Sequence, residues 1–140
     1  MLRIWMFLLS CMLLFGIVGC SEPKVTEVDK VRLECVDLCT VDQQSTVPFT
    51  ETTFTGADEI RTFVNAIDKS VKMSGELDYG TYFLMHVSYK DDSQKTYVLN
   101  ISDSGQKGIR GLLVDTEDSG QGYEIPASIH EELRELIYRK

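Results

Sequence analysis

The chain is 140 residues long, 43% hydrophobic and 26% charged, with a formal net charge of −8. These figures fit a globular chain and exclude a collagen-like, low-complexity or polytopic membrane protein. The acidity also excludes a binder of the nucleic-acid phosphate backbone, which needs a basic surface.

Apolar residues crowd the start, with 15 of them in the first 19 positions. After Arg3 comes a run without a charge from Ile4 to Val18. A helix rising ~1.5 Å per residue needs about 20 such residues to cross a bilayer core, so this shorter run reads as the apolar part of a secretory leader. It ends at Ile17-Val18-Gly19-Cys20, and the polar Ser21-Glu22-Pro23-Lys24 follows at once. The junction resembles the lipobox of bacterial lipoproteins. That resemblance implies removal of residues 1–19, acylation of the Cys20 thiol, and a cell-membrane location on the extracytoplasmic face. Residues 20–27 would then be lipid anchor and tether, and 28–140 a single domain. Two acyl chains suffice for stable attachment, since each buried CH₂ contributes ~0.8 kcal/mol. The acidic chain offers no polybasic segment to assist them.

Lys30 to Val36 alternates, with Val31, Leu33 and Cys35 on one face and Arg32 and Glu34 on the other, the pattern of a half-buried strand. Of the four cysteines, Cys11 belongs to the leader and Cys20 to the lipid, which leaves Cys35 and Cys39. Residues four apart in a continuous strand lie ~13 Å apart, beyond the ~7 Å limit for a bridge. A disulfide therefore requires a turn at Val36-Asp37-Leu38, and the other reading is two thiols on one strand face. The Cys-x-x-x-Cys spacing also resembles that of copper-delivery proteins with a thioredoxin fold. In those proteins the motif opens a helix, whereas the residues after Thr40 have no helical period. Zinc spacing is absent from the sequence.

Residues 40–52 are rich in Thr, Ser and Gln around Pro48 and read as a loop or an edge strand. Thr55-Gly-Ala-Asp58 then resembles a capping box, and Ile60, Phe63, Val64 and Ile67 form one apolar helical stripe. Lys69 and Lys72 stand near its end, before Ser74-Gly75. An antiparallel meander follows: Tyr82–Tyr89, a polar turn at 90–94, Lys95–Ile101, a hairpin over 102–108, Ile109–Val114, and a short strand Gly122–Ile125. Ser128-Ile-His-Glu131 reads as a second capping box, with Ile129, Leu133, Leu136 and Ile137 on the apolar face of the last helix. The expected class is α+β, with two amphipathic helices on one face of a mostly antiparallel sheet.

Chemistry-bearing spacing is sparse. Asp115-x-Glu117-Asp118 lacks the ligand pattern of an EF-hand loop and reads as a solvated turn. His86 sits in a strand and His130 in the first turn of the last helix, neither beside a nucleophile or metal-ligand motif. The clustered tyrosines Tyr79, Tyr82, Tyr89, Tyr97 and Tyr123 read as cross-strand packing. From about residue 50 to 137 the chain resembles the YhfM-like small lipoproteins of bacilli and their relatives. The resemblance rests on Phe54-x5-Ile60-x2-Phe63-x2-Ala66-Ile67, Gly75-Glu-Leu-Asp78, Val87-Ser-Tyr89, Tyr97-x-Leu99, Gly111-Leu-Leu-Val-Asp115 and Tyr123-x-Ile125. It implies a surface-anchored domain and transfers no catalytic residue, metal or cofactor. The expectation is a non-enzymatic binding or sensing lipoprotein of the bacterial envelope, held to the membrane by lipid on Cys20. The alternatives are a thiol redox or copper-handling protein using Cys35 and Cys39, and an inhibitor or immunity lipoprotein.

Overall fold

In the computed structural model the described residues are 25–36 and 49–139. After a single 3-10 turn at Val25–Glu27 the strands are β1 (Val28–Cys35), β2 (Glu51–Phe54), β3 (Val71–Lys72), β4 (Phe83–Tyr89), β5 (Gln94–Asn100), β6 (Gly111–Asp115) and β7 (Gly122–Ile125). Helix α1 spans Ala57–Lys69 and α2 spans Ala127–Ile137. All seven strands join one antiparallel sheet in the order β2-β1-β4-β5-β6-β7-β3. The α+β class and the two helices expected from the sequence are thus present.

Alternation sets the faces. Phe83, Met85 and Val87 of β4 point to the same side as Val31 and Leu33 of β1 and Tyr97 and Leu99 of β5, and all seven are buried. The helices supply Ile60, Phe63, Val64 and Ala66 from α1 and Ile129, Leu133 and Ile137 from α2 to the same core. Burying a large apolar side chain contributes about 1.5–3 kcal/mol, so this shared layer is the main stabilising element. Phe54 against Phe63, ring centroids 5.0 Å apart, fastens edge strand β2 to α1. At the other end Tyr138 stacks edge-on against Phe83 at 6.1 Å and donates its hydroxyl to the Ile101 carbonyl at 2.7 Å. Gly111 opens β6 where a Cβ would lie 2.7 Å from Ile101 Cδ1 and 3.0 Å from the Asn100 carbonyl oxygen.

Several boundaries differ from the sequence expectation. The α1 cap is Gly56, one residue past Thr55, because Glu59 reaches back to accept from the Gly56 N–H at 3.3 Å. This helix ends at Lys69, and Val71-Lys72 pairs with Glu124 and Tyr123 as strand β3, so Lys72 is not part of the helix end. α2 starts at Ala127 behind Pro126, whose carbonyl accepts from the His130 N–H at 2.9 Å; Ser128 therefore sits inside the helix and does not cap it.

β3 lies at one edge of the sheet and β4 near its middle, so residues 73–82 must cross back over the face opposite the helices. They do so as a strap. The Met73 N–H donates to Gly122 O at 2.9 Å and Gln121 Nε2 to Met73 O at 3.0 Å. A Cβ on Gly122 would come within 2.7 Å of Leu77 Cδ2, so the strap is seated on a glycine. Asn100 clamps its far end, accepting from Tyr82 N at 2.9 Å and donating to Gly80 O at 2.6 Å. This passage accounts for the burial of Val98 and Val114 on a face that would otherwise be open.

Candidate functional site

Beyond the strap, the outer face carries a polar ladder. The register sets Arg32 beside His86 and His86 beside Thr96, one row across β1, β4 and β5, with Thr53 of β2 on the far side of Arg32. Arg32 Nη1 lies 2.7 Å from Glu51 Oε2 and 4.0 Å from Glu34 Oε2. His86 Nε2 is 3.4 Å from Glu34 Oε2, and its Nδ1 is 3.1 Å from Thr96 Oγ1. A proton on Nε2 serves the carboxylate and leaves Nδ1 to accept from the threonine hydroxyl.

Carboxylate, imidazole and hydroxyl in that order are the parts of an acyl-transfer relay. A working relay also needs donors aimed at the developing oxyanion. β4 is flanked by β1 and β5, so its backbone N–H groups are spent in the sheet ladder. Arg32 stands on the opposite side of His86 from Thr96 and is engaged by two carboxylates. The ladder is a hydrogen-bonded polar surface in which one guanidinium serves two carboxylates.

The other histidine is structural. His130 is buried, and its Nε2 accepts from the Ser102 N–H at 3.2 Å, which ties α2 to the loop after β5. Burial holds its imidazole below the ordinary value, against the nearby Glu131 carboxylate. On the helix side of the sheet, Lys95 pairs with Asp115 at 2.7 Å and lies 5.5 Å from the Tyr97 ring centre. Burial pushes the Tyr97 hydroxyl up to about 12, although Lys95 acts in the opposite direction. Burial alone would raise Asp115, but the hydrogen bonds from Lys95 and the Glu117 N–H prevail and hold it below the usual carboxylate value. The acidic turn is thus a 3-10 turn, Thr116–Asp118, fastened by Asp115. An open cleft of ≈ 370 Å³ lies between the loop 105–109 and the first turn of α2, lined by Lys107, Gly108, Ser128 and Glu131 among others.

Cys35 closes strand β1 and is disulfide-bonded. Its Sγ lies 3.9 Å from the Val36 carbonyl oxygen; an oxidised sulfur has no proton to donate, so this is a contact only. A cysteine that ends a strand differs in placement from the helix-opening motif of the copper-delivery proteins. Cys20 and Cys39 lie outside the described residues. No described helix is long and apolar enough to cross a membrane.

The fold and its surface therefore define a small α+β domain with a polar, hydrogen-bonded face across β1, β4 and β5. A family model described as "YhfM protein" matches residues 36–140, three quarters of the chain. The chain belongs to the YhfM family. The match takes in every described element except the opening 3-10 turn and β1. Neither a curated protein nor a solved structure matches it.

Proposed function

We propose that the protein is a lipid-anchored envelope protein whose domain faces the extracytoplasmic side of the cell membrane and acts by non-enzymatic binding or sensing. One observation carries the anchor: the charge-free run ends in Ile17-Val18-Gly19-Cys20, and the first described element, Val25–Glu27, follows four polar residues later. The binding role is supported by the outer-face ladder, a row of hydrogen-bonding and charged side chains, Arg32, Glu34, Glu51, His86 and Thr96, on one face of the sheet. In an oxidising compartment a bridge from Cys35 to Cys39 is a structural link at the end of β1.

Metabolic labelling with palmitate tests the anchor. The wild-type chain takes up label and fractionates with membranes, and Cys20→Ala loses both. A Cys20→Ala protein that loses the label but stays with the membranes contradicts the reading.

A further inference from the structure

Strand direction fixes which end of the domain an anchor would hold. β1 runs away from the 3-10 turn at Val25–Glu27, and the Lys90 N–H donates to Glu27 O at 2.9 Å. The turn joining β4 to β5 therefore lies beside the start of the domain. From the Val28–Tyr89 pair to the Gly111–Ile125 pair the sheet advances about eight residue rows, on the order of 26 Å along the strands at ~3.3 Å per residue. The loop 101–110 and the first turn of α2 lie at this far end. Between Cys20 and Val25 the chain reaches at most about 17 Å at ~3.4 Å per residue.

We infer that, on the lipid anchor proposed above, the end bearing Glu27 and the Lys90–Ser93 turn faces the lipid headgroups, and that α2 with the loop 101–110 faces outward. The spacer is shorter than the sheet is long, so the far end cannot replace the near end at the bilayer without the domain tipping onto its side. Charge opposes close apposition. Glu27, Asp29, Asp91 and Asp92 are exposed at the near end beside Lys30 and Lys90, an acidic rim that an anionic leaflet repels. That repulsion acts over about 8 Å at physiological ionic strength, a stand-off within the spacer's reach. The short spacer thus sets which end stays near the bilayer, the rim sets the stand-off, and the outer end is presented to partners.

The test uses the full chain purified from membranes and reconstituted into phosphatidylglycerol vesicles that contain a headgroup-nitroxide lipid. Lys90→Cys and Lys107→Cys each carry a fluorophore on an exposed position at one end, and the unsubstituted chain is labelled in parallel as background. We expect quenching at position 90 to exceed that at 107 several-fold. Equal quenching, or stronger quenching at 107, overturns the orientation. The intact mass of the same sample separates the two claims. An acylated chain with equal quenching leaves the anchor standing and removes the orientation, whereas an unacylated chain removes both.

Discussion

Two side chains whose polar atoms work in opposite surroundings, His130 and His86, divide the labour of the chain's histidines. His130 is 2% exposed and serves as a neutral acceptor for the Ser102 N–H, while His86 sits on the open face between a carboxylate and a hydroxyl. Truncating His130 leaves an unpaired N–H and a cavity, at a cost of about 2–4 kcal/mol. Its pH signature has a definite sign. Burial keeps the folded-state pKa below the ordinary 6.5, so the unfolded chain takes up the proton first as pH falls. The stability His130 contributes is complete above pH 6.5 and declines below it, until the folded-state pKa is reached. Urea unfolding at pH 7.5 and 5.5 checks this: His130→Ala is weaker than wild type at pH 7.5 and loses less between the two values. An equal loss in both proteins contradicts the assignment.

Among the elements, the strap over residues 73–82 is held mainly by Asn100 and by Leu77 on Gly122. Asn100→Ala removes both clamp hydrogen bonds, at about 0.5–1.5 kcal/mol each. Hydrogen exchange should then show faster exchange at the Tyr82 amide and across the strap, with β4 and β5 protected as before; unchanged exchange at Tyr82 contradicts the clamp. The elements that repeat a period were legible in the sequence. Phe83, Met85 and Val87 alternate because one face of β4 is buried, and Ile60, Phe63 and Val64 recur at helical spacing because α1 packs on that same layer. β3 and the strap were not legible. Two residues, Val71 and Lys72, carry no period, and Leu77 is one apolar residue in a polar stretch, so only the sheet order gives them a place. The spacing suggests Thr55 and Asp58 for the α1 cap, whereas Glu59 is the carboxylate that reaches the capping N–H of Gly56. The polar ladder was hidden for a further reason. Glu34 and His86 are 52 residues apart and meet through strand register, which local patterning does not encode.

At the scale of the whole molecule, composition and topology point the same way. On the proposed processing, removal of the leader takes away Arg3 and most of the apolar excess, and leaves an acidic domain close behind Cys20. Such a domain gains nothing from attraction to an anionic leaflet, so the proposed anchor has to rest on the lipid alone. Among the described residues, the helices cover one face of the sheet and the strap part of the other, beside the ladder. Intact mass spectrometry of the membrane-extracted protein tests the account most directly. A chain that begins at Cys20 with a diacylglyceryl group is the expected result, and its emission is that of tyrosine, because Trp5 is the sole tryptophan and leaves with the leader. A chain that retains residues 1–19, with tryptophan emission and an unmodified Cys20, contradicts it.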